Sequence, residues 1–450
     1  MSKSVSEREL VLGVLMEVTR ENTYSHIALR NVLNKYQYLD KKERAFITRV
    51  VEGTLEHMIE MDYIINQFSK VKVNKMKPVI RCIIRSAVYQ MKYMDSVPNS
   101  AVCNEAVKLA VKKGFGNLRG FVNGVLRNID RNLDAVSYPD ESDLTEYLSI
   151  KYSIPVWILN KWLAEYDREI VESMLRDFQT EKPTTIRCNL HQIETDDLKQ
   201  KLEAEGVTVQ RHPYLPYALL ISDYNYLGEL ASFQQGDFAV QDISSMLVGE
   251  IAAPQTGDYI IDVCAAPGGK ALHIADKLEA TGHVEARDLT EYKVDMIREN
   301  IERSHLTNIC AAQQDATLLD EQAVEKADIV MADLPCSGLG VLGRKTDLKY
   351  KVTAEMTEAL SQLQRQILSV VHRYVKPGGT LIYSTCTVND GENMDQVQWF
   401  LNQYPQFHLS DIRGLLCEEL KSEAVHEGCL QLLPGVQQSD GFFIAKFQRA

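Results

Sequence analysis

Apolar residues recur at helical spacing through the first 130 positions. Val11, Leu12, Leu15 and Val18 form one stripe, Val50, Val51, Thr54, Leu55 and Met58 a second, and Ile80, Ile83, Ile84, Ala87, Val88 and Met91 a third. Breaks at 70–78, 95–99 (with Pro98) and 114–116 divide this stretch into five to seven short helices, which together read as an all-α bundle. A linker is expected at 138–142, around Pro139, followed by two more amphipathic helices over 143–178 with Trp157 and Trp162 in a core. Residues 184–189, 195–205, 207–210 and 218–222 then read as strand, helix, strand and strand, about half of a ferredoxin-like repeat.

Beyond Gln235 the pattern changes to regular alternation. Strands are predicted at 258–264, 283–287, 308–313, 327–332, 380–384 and 442–447, with helices at 268–278, 291–304 and 355–375. Strand–helix units of this length build a doubly wound, mostly parallel α/β sheet of Rossmann type. The last strand follows a long excursion and is expected to close the sheet in antiparallel sense. Three segments result: an all-α domain over 1–138, a helical linker with a small α+β subdomain over 139–235, and a Rossmann-like domain over 236–450.

Charge changes the picture only when divided along the chain. The net value is -13, but residues 1–138 hold 22 Lys+Arg against 14 Asp+Glu, leaving 27 against 48 for the remainder. A basic first third suits a polyanionic partner, and the acidic body suits solubility. The basic residues gather between Lys70 and Lys92, with others at Lys108, Lys112, Lys113, Arg119 and Arg127. They form either one RNA-facing surface or an ordinary solvated one. Hydrophobic residues at 45% and charged residues at 25% exclude disordered, collagen-like and low-complexity classes.

The first ten residues, MSKSVSEREL, carry no apolar run of the kind a secretory signal needs. No stretch approaches the ~18 apolar residues of a membrane span. The nine cysteines are scattered and never in CxxC spacing, and the ten histidines form no HExxH or His/Cys cluster. Neither a disulfide framework nor a metal site is expected, and a reducing, cytoplasmic compartment is. A monomer is the default expectation.

In an open α/β sheet, ligands sit beyond the carboxyl ends of the strands. The first strand of the C-terminal domain ends in Asp262-Val263-Cys264-Ala265-Ala266-Pro267-Gly268-Gly269-Lys270, where small residues let a ligand approach the backbone and a helix terminus follows. The turn matches neither the P-loop nor the GxGxxG pattern. Asp288, ending the second strand, can take both ribose hydroxyls, and Asp315, after the third, can hold an adenine amino group. A nucleoside cofactor without phosphate fits this set: S-adenosylmethionine.

The fourth strand ends in Asp333-Leu334-Pro335-Cys336-Ser337-Gly338 and the fifth in Tyr383-Ser384-Thr385-Cys386-Thr387, so two cysteines face one crevice. A thiol beside a methyl donor suits carbon 5 of a pyrimidine, which becomes nucleophilic only after addition at carbon 6. The site should lower the pKa of the attacking thiol from its usual ~8.5. Asp333 is placed for the cytosine N3/N4 edge, and Cys386 and Cys336 can divide nucleophilic attack and release.

The motifs DVCAAPGGK, DLPCSG and YSTCT, with GEN shortly after, resemble the RNA 5-methylcytosine methyltransferases of the Sun/Fmu family. The resemblance implies Cys386 as nucleophile, Cys336 as the group that helps resolve the covalent adduct, and a cofactor site formed by Cys264 through Lys270 with Asp288, Asp315 and Asp333. FQQGDFAVQDISSMLVG (233–249) is similar to the family's lead-in to the catalytic core. YSHIALRNVL (24–33), RAFITRVVEGTL (44–55) and GFVNGVLRNI (120–129) are similar to the NusB-like RNA-binding domain. That domain arrangement implies a bacterial enzyme acting on a cytosine of 16S ribosomal RNA, unassembled or partly assembled, with a target base that is single-stranded or flipped out.

Two departures stand out. Ala271 occupies a usual Thr position, and 343–351 (GRKTDLKYK) replaces an Arg-Pro-Asp-Ile-Lys-Trp-like run. Arg344, Lys345, Lys349 and Lys351 against Asp347 leave that loop basic, as phosphate contact requires. Three other readings compete: another RNA such as tRNA or 23S rRNA as substrate, a non-catalytic NusB-like RNA-binding factor, and DNA cytosine methylation from Pro335-Cys336. The intact acids and paired cysteines disfavour the second, and the third lacks a glutamine after the Cys.

Overall fold

The computed structural model describes residues 5–36, 38–421 and 424–450. Its chain condenses into two compact units: one runs through Gln179 and includes Leu342–Val352, and the other comprises Thr180–Val341 and Thr353–Ala450.

The first unit is helical. Among the described residues it contains α1 (Glu7–Arg20), α2 (Ser25–Lys35), α3 (Lys41–Glu56), α4 (Met58–Phe68), α5 (Pro78–Tyr93), α6 (Asn99–Lys112), α7 (Arg119–Asn132), α8 (Leu144–Tyr152), α9 (Val156–Glu165) and α10 (Arg168–Phe178). The stripes read from the sequence are the buried faces of α1, α3 and α5, where Leu15, Val50, Ile83 and Val88 are at most 1% exposed, except that Met58, read with the second, starts α4 and is half-buried. Local chemistry sets the ends of the helices. Asp40 and Glu43 form a capping box at α3, and Pro78 stands at the start of α5, where its missing N–H costs nothing.

The sequence suggests two helices over 143–178, and three are present. Trp162 is fully buried against Phe178, whereas Trp157 is only half-buried. These helices join the bundle rather than the α+β subdomain, since Ser153 Oγ accepts from the Glu60 N–H at 3.0 Å at the α4–α8 junction. The compact units divide near residue 180.

The second unit opens with β1 (Thr184–Cys188), α11 (Thr195–Ala204), β2 (Thr208–Arg211), β3 (Ala218–Ser222), the single turn α12 (Ala231–Gln234), β4 (Phe238–Val240) and α13 (Ile243–Ala252). The sheet order is β2-β3-β1-β4, all antiparallel. Three residues, graded from buried Phe238 to exposed Val240, were too short a pattern to reveal β4 in advance.

The larger sheet follows with β5 (Tyr259–Asp262), α14 (Gly269–Lys277), β6 (His283–Asp288), α15 (Glu291–Ser304), β7 (Ile309–Gln313), β8 (Ala327–Asp333), α16 (Ala354–Val371), β9 (Val375–Thr385), α17 (Met394–Gln403), β10 (Phe407–Leu409), β11 (Val425–His426), β12 (Cys429–Leu432) and β13 (Phe442–Arg449). Its order is β11-β12-β13-β9-β8-β5-β6-β7, with β10 also on β13. Strands β7, β6, β5, β8 and β9 are parallel, and β13 runs antiparallel to β9. The last strand does not close the sheet as expected, because β12 pairs with its other side. One apolar core, including Ile186, Leu219, Ile260 and Ile382, runs through both sheets of this unit.

The order of the parallel strands reverses between β5 and β8. At such a switch point the connections leave to opposite sides and open a crevice at the carboxyl ends. Asp262 and Asp333 end these two strands.

Candidate active site

β5 delivers the chain into the turn 263–268. The turn is fastened from the neighbouring strand: Arg287 O accepts from the Ala265 N–H at 2.8 Å, and Asp288 Oδ2 accepts from the Ala266 N–H at 3.0 Å. Gly268 caps α14 with φ at +107°, a conformation costly for any other residue. A Cβ at Gly269 would meet only Gln241, at 3.9 Å, so open space lies against this backbone. Asp288 is 3% exposed; its Oδ1 also accepts from the Leu289 N–H at 2.8 Å and pairs with Lys293 at 3.0 Å.

Asp262 is buried, with Oδ1 at 3.4 Å from the Cys264 N–H and Oδ2 lacking any hydrogen-bond partner among the described residues. Burial, reinforced by the field of Asp333, pushes its carboxyl up to about 7. An orphaned, buried oxygen beside an open glycine backbone, with Asp288 at the next strand end, fits the polar groups of S-adenosylmethionine. Asp315 is less committed. It is half-buried, Thr317 donates to it through both N–H (2.8 Å) and Oγ1 (2.6 Å), and those bonds lower its pKa. Cys264 is half-buried, and burial raises its thiol well out of the reactive range.

Lys270, in the first turn of α14, spans the switch point. Its Nζ lies 2.7 Å from Asp333 Oδ2, while Ser384 Oγ donates to Asp333 Oδ1 at 2.9 Å. Burial opposes the charge on Lys270, but Asp333, Asp262 and Cys386 more than offset it and raise its pKa. The loop after β8 is laid along the end of β9: Ser384 O accepts from the Leu334 N–H at 3.1 Å and Cys386 O from the Gly340 N–H at 3.2 Å. The sulfur atoms of Cys336 and Cys386 consequently stand 3.3 Å apart. The hydrogen bond to Cys386, then burial, raises the Cys336 thiol well above its ordinary value.

Asp262, Lys270, Asp333, Cys336 and Cys386 thus converge on one crevice, with Asp288 behind the turn. Sequence reasoning missed the polar packing under the cysteines, formed by Ser337, Gln364, Thr387, Glu392 and Asn393, all at most 2% exposed. The only signal for it was the polar GEN run shortly after Cys386. The 343–351 loop needs correction. Lys349 is 4% exposed and donates to Glu56 O at 2.8 Å, and Lys351 donates to Asn22 O (2.8 Å) and Thr23 O (2.7 Å). These two lysines bind carbonyls of the helical unit and are not available to phosphate, while Arg344 and Lys345 remain exposed.

Acids at successive strand ends around a glycine turn, at the switch point of a parallel sheet, define a Rossmann-like methyltransferase that uses S-adenosylmethionine. The comparisons with known proteins narrow this class. A family model described as 16S rRNA methyltransferase RsmB/F matches residues 250–448, the NusB family matches 5–131, and the ferredoxin-like domain of RsmF/B-like methyltransferases matches 154–225. The chain is 34% identical to the probable ribosomal RNA small subunit methyltransferase B of Bacillus subtilis, over 99% of each chain. It is 31% identical to the protein of the same description from Synechocystis, over 99% of this chain and 100% of the other. The chain belongs to the RsmB family of ribosomal RNA small subunit methyltransferases.

Solved structures agree in fold. PH0851 superposes with a TM-score of 0.83 at 24% identity, over 99% of both chains. NSun6 from Pyrococcus horikoshii with SFG gives 0.56 at 23% identity, over 69% of this chain and 98% of that one.

Proposed function

We propose that the protein methylates carbon 5 of a specific cytosine in 16S ribosomal RNA, with Cys386 as the nucleophile and Cys336 as the group that assists release. The 3.3 Å separation of the two sulfurs, beside the Lys270–Asp333 pair, carries this reading. S-adenosylmethionine, held by the 264–270 turn with Asp288, Asp315 and Asp333, supplies an electrophilic methyl group. The Cys386 thiolate adds to carbon 6 of the base, and the ring becomes an enamine whose carbon 5 is methylated. S-adenosylhomocysteine is the product left by the donor; a base then takes the carbon 5 proton, the carbon 5–hydrogen electron pair restores the 5,6 double bond, and the sulfur–carbon 6 pair leaves on sulfur to regenerate the Cys386 thiolate.

Lys270 next to Cys386 favours the thiolate, as a cation does for any thiol. Asp333, neutralised on one oxygen by Lys270, meets the N3/N4 edge of the ring. Cys336, whose thiol resists ionisation, is suited to hold a proton beside the departing sulfur rather than to attack.

The basic helical unit would hold the RNA, whose target base must leave any stack to reach a crevice at the strand ends. An unassembled or partly assembled small-subunit RNA in the cytoplasm, met by a monomer, completes the reading. The deciding experiment incubates the protein with labelled cofactor and a small-subunit RNA transcript, alone or partly assembled, and maps 5-methylcytosine. Label at one cytosine is expected. No incorporation into either form would overturn the proposal.

A further inference from the structure

One buried carboxylate has no part in these steps. Glu392 is 0% exposed, and no lysine or arginine pairs with it among the described residues. Its two oxygens are met by neutral donors instead. Oε1 accepts from the Ser337 N–H at 2.8 Å and from Gln364 Nε2 at 3.2 Å, and Oε2 accepts from Asn389 Nδ2 at 2.6 Å and from the Ser337 hydroxyl. Gln364 Nε2 also donates to Pro335 O at 2.9 Å. Glu392 therefore grips Ser337 directly and Pro335 through Gln364, which are the residues on either side of Cys336.

The next residue does the same for the other cysteine. Asn393 Oδ1 accepts from Thr385 Oγ1 at 2.6 Å, and its Nδ2 donates to Thr387 O at 3.1 Å. These are the neighbours of Cys386 in the chain. A hydroxyl contact of 2.7 Å between Ser337 and Thr387 then ties the two grips together. An ionised carboxylate accepts and never donates, so it alone satisfies four converging donors; an amide in its place turns N–H groups toward them.

We propose that Glu392 and Asn393 are paired positioning residues, Glu392 for the releasing cysteine and Asn393 for the attacking one, which together set the distance between the two sulfurs. The proposal rests on the cysteine chemistry above and deepens it, because it assigns the balance between adduct formation and adduct release to a fully buried pair of residues packed behind the two cysteine segments. Small displacements of a reacting group are costly: a misplacement of about 1 Å is worth roughly a hundredfold in rate.

The test separates the two half-reactions. Covalent RNA–protein adduct is followed on denaturing gels under single turnover, and 5-methylcytosine release under multiple turnover, for wild type, Glu392→Gln and Asn393→Ala. Glu392→Gln should release product on the order of tenfold to a hundredfold more slowly and accumulate adduct, while the rate of adduct formation is little changed. Asn393→Ala should instead slow formation. Ser337→Ala, which removes one hydroxyl and keeps the carboxylate, gives a milder form of the Glu392→Gln behaviour and serves if that variant does not fold. Equal losses in both half-reactions for both residues, or wild-type rates in both, would overturn the assignment. Absence of any adduct in the wild type would instead sink the cysteine chemistry beneath it.

Discussion

The sulfur atoms of Cys336 and Cys386 lie 3.3 Å apart although fifty positions separate them in the chain. The contact arises because β8 and β9 are adjacent and in register, Asp333 opposite Ser384, so that the loops leaving both strands start side by side. The same contact acts on the half-buried Cys336 thiol, whose pKa the hydrogen bond to Cys386 raises well above its ordinary value.

Cys386→Ser should abolish both methyl transfer and adduct formation. Cys336→Ser should keep adduct formation and accumulate covalently bound RNA. Denaturing gels with labelled transcript distinguish them, and the opposite pattern would reverse the roles.

Alkylation should report the direction of the thiol shift. Near neutral pH Cys336 should resist iodoacetamide, because only the thiolate reacts. In Cys386→Ala the hydrogen bond that most raises Cys336 is gone, so its alkylation should begin at lower pH. Peptide mass spectrometry across a pH series reads the onset at each cysteine.

Asp262 makes a prediction about stability. Its carboxyl titrates at about 7 in the folded chain, against about 3.9 when unfolded. Between these values the folded state binds more protons, so stability falls as pH rises through this window, by up to about 4 kcal/mol. Asp262→Asn should flatten that fall in urea midpoints measured between about pH 4 and pH 8 and should be the more stable protein at the upper end. The same variant should bind S-adenosylmethionine more weakly, since Asp262 ends the strand that leads into the 263–268 turn.

The 342–352 segment should depend on Asp347. This residue is 1% exposed and accepts from both the N–H (3.1 Å) and the hydroxyl (2.6 Å) of Ser25. Asp347→Ala leaves those donors unpaired at a cost of about 3 kcal/mol. Faster proteolytic cleavage within 342–352 and a lower melting temperature are expected.

RNA affinity should fall steeply with salt. Lys70, Lys75 and Lys77 are exposed around the α4–α5 connection, whereas Arg85 is held by Asp62 at 2.5 Å and Lys92 pairs with Glu60 at 3.4 Å. Replacing the three exposed lysines by glutamine should weaken binding and reduce the logarithmic salt slope by about 2. Titrations at several salt concentrations measure both.

Much of this was legible in the chain. The helical stripes of α1, α3 and α5 are local periodicities, and a buried face must be apolar wherever it packs, so the bundle could be read without knowing its partners. The strands ending in Asp262, Asp288, Asp333 and, just before Cys386, Thr385 announced themselves by alternation with helices, and the connection rules of parallel sheets place such ends on one edge. Composition along the chain, rather than its total of -13, showed which third is basic.

What only the tertiary structure decided is which partner each polar group takes. Lys349 and Lys351 look like phosphate ligands in sequence, yet their ammonium groups reach carbonyls of Glu56, Asn22 and Thr23, residues nearly three hundred positions or more away. Lys270 reads as part of a cofactor turn and turns out to neutralise Asp333 across the switch point. Glu392 reads only as part of the GEN run and proves to be wholly buried, hydrogen-bonded to the residue after Cys336. Apolar burial depends on spacing along one element and is therefore written locally. Hydrogen bonds and ion pairs are satisfied atom by atom between distant elements, and their partners exist only once the chain has folded.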